Sequence, residues 1–372
     1  MTPLYLDHNA TAPLRPEAKA AMVAALDHVG NPSSVHRFGR DARRIVEDAR
    51  KAVAALVGAP AAAIVFTAGA TEANNAILSG CDRPRILISA IEHDSVLAVP
   101  DAAETLAVGP DGLLDPATLD AALTVGERPA LVSVMLANNE IGTIQPIAEL
   151  AGIARRHGAL FHCDAAQAVG KFPVDFMALG VDYLTLSAHK FGGPQGVGAL
   201  VVREGVAAPR LLKGGGQERR RRAGTENVAG IAGLGAAAAA ALAGLDGFAA
   251  LSRLRDAMES RIRAACPTVR VFGEGAPRLP NTSCLTMPGV PAETQIMGFD
   301  LAGIAISSGS ACSSGKVAAS HVLAALGIDR AEAETALRVS LGWTTRPGDI
   351  ERFVEAWITL RQRAAHRSSA AA

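Results

Sequence analysis

Lys190 closes a strand-like run in LTLSAHKFGGPQGVGAL, and a Gly/Pro turn follows it. In open α/β sheets, sites form beyond the carboxyl ends of strands. A lysine delivered there among apolar neighbours is partly desolvated, so its amine pKa falls and it becomes a usable Schiff-base nucleophile. Asp164, in FHCDAAQAVGK, also ends a strand-like run. A carboxylate in that place can keep a pyridinium nitrogen protonated and so preserve an electron sink; it can equally be the N-cap of the next helix. Gln167, three residues on, lies on the same side of the following turn and can donate to a phenolic oxygen. In FTAGATEANNAI a strand runs into Gly69, Ala70 and Thr71, and a helix starts at Glu72. Backbone N–H groups and a hydroxyl at a helix N-terminus make a phosphate cradle. His93, in SAIEHDSV, follows another strand, where an imidazole can stack on a flat aromatic ring and move protons. Cys312 lies in IAISSGSACSSGK, a run too poor in bulk to pack tightly.

Taken singly, these are a surface lysine, a capping aspartate, a structural histidine and an incidental thiol. Together they describe a pyridoxal-phosphate site: imine-forming lysine, pyridinium carboxylate, ring-stacking histidine and phosphate turn.

The elements that must position them alternate. Buried strands are expected at 85–90, 130–136, 159–164, 183–188 and 196–202, from their length, β-branched content and flanking turn signals. Between them lie helical patterns. PIAELAGIARRHG opens at Pro146 in the first turn and stops at Gly158, and Ile45, Ala49, Ala52, Val53 and Leu56 recur at helical spacing. Strands separated by such helices imply an α/β class with a largely parallel sheet covered on both faces. After an Ala-rich helix in GIAGLGAAAAAALAGL the character changes. A helix at about 249–265 leads to strands near VRVFG, TSCLTM, GIAIS and LRVSL, and a last helix follows Pro347. The expected organisation is a large domain over 15–246 and a smaller α+β domain built from 1–14 and 247–372. The tail HRSSAAA reads as disordered.

The chain has 372 residues, 49% hydrophobic and 19% charged, with 36 basic and 36 acidic side chains. A formal charge of zero gives no net field to recruit nucleic acid or an anionic membrane. The N-terminal MTPLYLDHNATAPL lacks a basic segment followed by an apolar one, so no signal peptide is expected, and no membrane span is read. Five scattered cysteines without a C-x-x-C pair argue against a disulfide framework and a zinc site and fit a reducing, cytoplasmic compartment.

The sequence closely resembles the group I cysteine desulfurases of the NifS/IscS type, in the class V aminotransferase branch of fold-type I pyridoxal-phosphate enzymes. The resemblance runs nearly end to end, through YLDHNATAPL, NPSSVHRFGR, GATEANNAI, EHDSV, NNEIGTIQPI, DAAQAVGK, SAHKFGGPQGVGAL, GGGQERRRRAGTEN, SSGSAC and LRVSLG. It implies a large domain with a mostly parallel sheet of the seven-stranded type. It further implies that Lys190 bonds the cofactor, Asp164 pairs with the pyridine nitrogen and His93 stacks on the ring. Gln167 and Asn139 would contact the phenolic oxygen and the substrate side, and Ala70, Thr71, Ser187 and His189 the phosphate. Thr225 would reach the phosphate of the other subunit of a homodimer. Arg338 would bind the substrate α-carboxylate, with Asn9 nearby.

The implied reaction turns L-cysteine into L-alanine and leaves the sulfur on Cys312 as a persulfide, for an iron–sulfur scaffold or a sulfur-carrier protein. No metal site is expected beyond transient ligation by Cys312 of an iron–sulfur cluster on a partner. The Cys312 run is expected to be flexible, so that the thiol swings between cofactor and surface. A selenocysteine lyase, a class V aminotransferase and a catalytically silent scaffold are the alternatives on the same fold. Three positions depart from the family's usual pattern: Ala12 for threonine, Trp343 for arginine, and Cys163 for a small non-thiol residue. Cys163 reads as core. The Arg219–Arg222 run, lacking interleaved aromatics, reads as an interface or phosphate-proximal element rather than a nucleic-acid patch.

Overall fold

The computed structural model describes residues 3–126, 129–308 and 320–371. In chain order the strands are β1 (Leu4–Tyr5), β2 (Ile64–Thr67), β3 (Arg85–Ser89), β4 (Glu104–Leu106), β5 (Ala130–Ser133), β6 (Leu160–Asp164), β7 (Tyr183–Ser187), β8 (Gly198–Val202), β9 (Thr282–Thr286), β10 (Ile304–Ala305) and β11 (Ala336–Ser340). Every residue of β5, β7 and β8 is buried, which requires cover on both faces of the sheet.

Seven strands form one sheet in the order β2-β8-β7-β6-β5-β3-β4. It is parallel except at β8, which runs antiparallel to both β2 and β7. The carboxyl ends of β2, β3, β5, β6 and β7 therefore share one edge. The class and sheet agree with the sequence reading. The five central strands fall within one to three residues of their expected ends, and β4, a short edge strand, was not anticipated.

Arg37–Leu56 and Val228–Ala243 pack against each other on one face of the sheet, with Pro16–Leu26 beside them. The first begins upstream of the apolar repeat that starts at Ile45, where His36 caps it, its ring nitrogen accepting from Gly39 N at 3.3 Å. The second is rich in Gly and Ala for a steric reason. A Cβ on Gly235 would lie 2.6 Å from Ala49 Cα, so only a bare backbone lets the two helices approach this closely.

A second core joins Leu4 and Leu6 to residues between Phe248 and Trp357. Here β9 pairs antiparallel with β11, and β1 runs parallel to β10. The N-terminus is thus stitched to a segment 300 residues away, Leu4 opposite Ile304. The expected strand at VRVFG is reduced to a single bridge, Val271 with Leu285. Thr286 Oγ1 takes one rung of that ladder, and Gly273, at φ 73°, turns the chain away. The last helix, Pro347–Ala371, extends into the tail read as disordered, where Arg367, Ala370 and Ala371 are residues of high helix propensity. No single helix among the described residues is long and apolar enough to cross a membrane.

Candidate active site

A cavity of about 610 Å³ opens at the shared strand edge. Lys190 reaches it from the 3-10 turn Ala188–Lys190 directly after β7. Its Nζ donates to the carbonyls of Asn9 at 2.7 Å and Ala10 at 3.0 Å. Burial, and then the Arg338 guanidinium, lower its pKa from the usual lysine value to about 8, against the opposing pull of Asp164 and Asp7. An amine poised there is partly unprotonated near neutrality, as imine chemistry requires.

Asp164, the last residue of β6, is 5% exposed. Its Oδ1 accepts from Ala166 N at 2.9 Å and its Oδ2 from Asn74 Nδ2 at 2.8 Å. Asn74 is held in turn: Oδ1 accepts from Thr185 Oγ1 at 2.7 Å, and Nδ2 also donates to Ser95 Oγ at 2.9 Å. Behind it, buried His162 lies 3.5 Å from Thr185 Oγ1 and 2.8 Å from Ser133 Oγ, its pKa lowered to about 4 by burial. His93 caps the short helix Asp94–Leu97, its Nδ1 accepting from Ser95 N at 3.0 Å and lying 2.9 Å from Ser95 Oγ. One Asn74–Ser95 link therefore ties the carboxylate and the imidazole together.

On the far side of the cavity, β2 runs into the helix Ala70–Gly80. Gly69, its N-cap, offers no side chain, so the first N–H groups of the helix have no side-chain cap. A Cβ on Gly198 would lie 2.7 Å from Gly69 Cα, so glycine is needed for this close approach. Thr71, Ser187 and His189 line the same end. His189 is half-buried beside Thr11 Oγ1 at 3.2 Å, and burial together with Lys190 lowers its pKa to about 4, which leaves it neutral. Glu72 lines it too, and Arg222 clamps that carboxylate at 3.0 and 3.2 Å. The arginine run thus ends in a specific contact at the turn, while Arg219 and Arg221 donate to the Ala62 carbonyl.

Of the residues singled out in the sequence, Ala70, Thr71, His93, Asn139, Asp164, Gln167, Ser187, His189 and Lys190 line the cavity. Three others do not. Asn9 is buried beneath it at 1% exposure, every polar atom of its side chain occupied: Oδ1 by Lys171 and Asn281, Nδ2 by the Asn139 carbonyl and Thr282. Arg338 is 5% exposed and paired with Asp7 at 2.7 Å, with a second bond to the Asn139 carbonyl at 3.1 Å. Thr225 is exposed. Cys312 and the expected flexibility of its run lie outside the described residues. Cys163 is fully buried, and burial pushes its thiol pKa far up. Trp343 carries the Arg15 guanidinium 5.2 Å from its ring centroid.

Sequence reasoning passed over Asn74, Ser95 and Lys171. Asn74 stands three residues after Thr71, one helical turn behind the cradle, and Lys171 four after Gln167; only that spacing could have signalled them.

These residues fit pyridoxal phosphate on chemical grounds: an uncapped helix N-terminus for the phosphate, an oriented carboxylate for the ring nitrogen, and a lysine of lowered pKa between them.

Comparisons with known proteins agree with this fit. A family model for class-V aminotransferases matches residues 4–353. A cysteine desulfurase of Cereibacter sphaeroides is 46% identical over 370 residues, covering 95% of each chain. The cysteine desulfurase IscS of Dictyoglomus turgidum is 41% identical, covering 95% of this chain and 94% of its own. The X-ray structure of a NifS-like protein from Rickettsia africae superposes with a TM-score of 0.90 at 36% identity, over 97% of this chain and 99% of that one. The structure of SspA in complex with cysteine has a TM-score of 0.77 at 30% identity, over 91% and 98%. The chain belongs to the class-V aminotransferase family, on its NifS/IscS-like side.

Proposed function

We propose that this protein is a pyridoxal-phosphate-dependent cysteine desulfurase, forming L-alanine and a Cys312 persulfide from L-cysteine. The observation that carries the reading is the meeting of Lys190, Asp164, His93 and the uncapped helix at Gly69 around one cavity. Relatives named cysteine desulfurase at 41–46% identity support it.

When bound, the cofactor supplies an electron sink for charge that develops on the substrate carbon. The chain's own residues do the rest. Asp164, fixed by Asn74 and Ala166, is placed to pair with the ring nitrogen and keep it protonated. In this reading Gln167 and Asn139, which line the cavity, would contact the phenolic oxygen and the substrate side, and Ala70, Thr71, Ser187 and His189 the phosphate. Lys190 Nζ anchors the cofactor and then takes the proton from the substrate α-carbon, which an amine with a pKa near 8 can both accept and return. Arg338 is assigned the substrate carboxylate, as a replacement for or companion to Asp7 on its guanidinium. The Cys312 thiolate attacks the substrate sulfur; the carbon–sulfur bond breaks, the carbon takes a proton, and sulfur stays on Cys312 as S–SH. L-cysteine and one thiol give L-alanine and one persulfide, so atoms and electrons balance.

In the same reading the protein works as a homodimer, with exposed Thr225 serving the partner's phosphate site, and residues 1–14 and 247–372 form the smaller domain. The acceptor is an iron–sulfur scaffold or sulfur-carrier protein in the cytoplasm.

The test is to add pyridoxal phosphate and then L-cysteine. A visible band lost in Lys190→Ala is expected. Alanine should match persulfide sulfur one to one, and Cys312→Ser should keep the band while losing the persulfide. A protein with no band, or sulfide release from cysteine undiminished in Cys312→Ser, overturns the reading.

A further inference from the structure

Lys171 is 1% exposed, yet no carboxylate among the described residues bonds it. Among the described residues its Nζ donates to two amide oxygens, Gln167 Oε1 at 2.6 Å and Asn9 Oδ1 at 2.7 Å. The charged groups facing it, Lys190 and Arg338, are cations, and its other titratable neighbour is buried His8. Burial and these cations press its pKa well below the usual lysine value. A neutral amine has two hydrogens, and two acceptors are present, so the group is satisfied without charge.

The consequence falls on Gln167. An amide can turn over and exchange its oxygen for its NH2 at little cost unless its partners forbid it. Here both ends of the amide are claimed: Lys171 donates to its oxygen, and the Asn9 carbonyl, which can only accept, takes one N–H. The Gln167 NH2 therefore lies on the other side, where one N–H goes to the Asn9 carbonyl at 2.9 Å. That carbonyl also receives Lys190. The second N–H is left for the cavity that Gln167 lines.

We propose that Lys171 is a positioning residue: by holding Gln167 Oε1 it makes Gln167 present a hydrogen-bond donor, never an acceptor, to the ring oxygen of the cofactor. This rests on the pyridoxal-phosphate reading above. A donor at that oxygen stabilises the negative charge it carries most fully once the chromophore has lost its proton, and so lowers the pH at which the visible band changes. With Lys171 replaced, Gln167 Oε1 loses this donor and the amide is held on one side only, by the Asn9 carbonyl.

The experiment is a pH titration of the bound cofactor's visible band in the holoenzyme, for the parent, Lys171→Met, Gln167→Ala and the double variant, each checked for fold by circular dichroism. Lys171→Met is expected to raise the midpoint by about 1–2 pH units, the size of one hydrogen bond to a charged group. The shift should vanish when Gln167 is already alanine. A parent-like midpoint in Lys171→Met, or an equal shift with and without Gln167, overturns the proposal. Lys171→Gln keeps two N–H donors in a side chain of similar volume and serves if the methionine variant does not fold. Its shift should be smaller than the upper end of that range, and a full 2-unit shift counts against the proposal. A parent without a visible band overturns the cofactor reading itself and this assignment with it.

Discussion

Removing Arg50 should cost about 3 kcal/mol of stability at pH 7. Its guanidinium is 5% exposed and meets Glu218, 3% exposed, through two bonds of 2.8 and 2.9 Å. It also donates to the Ile64 carbonyl at 2.9 Å and lies 4.7 Å from the centroid of the Phe66 ring. Arg50→Met keeps most of the packing but leaves Glu218 with one donor, Phe66 N at 2.9 Å. Breaking a buried pair from one side typically costs about 3–5 kcal/mol, because the surviving charge is stranded. Glu218, Arg219 and Arg220 pull the other way. They are three successive non-glycine residues at φ 45°, 57° and 65°, each strained by roughly 1 kcal/mol or more. Relief of part of that strain places the net loss at the low end of the range.

Urea unfolding at fixed protein concentration measures this loss. Adding Glu218→Gln should recover most of the loss, since no charge is left unpaired. A single variant within 1 kcal/mol of the parent, or a double variant no better than the single, refutes the reasoning.

Four further outcomes are expected. Borohydride trapping of pyridoxal phosphate on Lys190 in cofactor-free protein should rise with a midpoint near pH 8; a midpoint above pH 10 would mean the lysine is not desolvated. Because that pKa is lower in the fold than in the unfolded chain, Lys190's contribution makes the cofactor-free protein more stable as pH rises from about 8 to 10.5, which urea titration across that window checks. Asn74→Leu strands Asp164 Oδ2 and Thr185 Oγ1 and should weaken cofactor binding about tenfold or more, read by fluorescence titration; unchanged affinity would make Asn74 irrelevant to Asp164. Gly342→Ala drives a Cβ into the buried His8 ring and should cost about 1–3 kcal/mol in the same unfolding assay, where a loss below 0.5 kcal/mol would show that the ring can move aside.

The groups at the rim of the cavity were legible because their signals are local. Asp164, Lys190 and His93 each follow a short apolar run, and Gly69 stands between a strand and a helix. A polar residue at the end of such a run is delivered to the sheet edge whatever the rest of the chain does. The same locality explains the sheet strands, whose burial and length are written in consecutive residues.

What holds those groups was not legible. The carbonyl that receives Lys190 belongs to Asn9, 181 positions away, and Arg338 meets Asp7 across 331. The left-handed turn at Glu218–Arg220 runs against the local preference of a Gln-Glu-Arg run, and it is tied down by partners distant in sequence, the buried pair with Arg50, 168 positions upstream, and the bond from Phe66 N. Lys171 and Asn74 carry no signal beyond their spacing, because their roles depend on which buried acceptor has no other donor. Sequence by itself determined which chemistry reaches the sheet edge, since strand ends are local. Tertiary structure decided how each group is oriented and charged there, since orientation and desolvation come from partners that only the fold brings near.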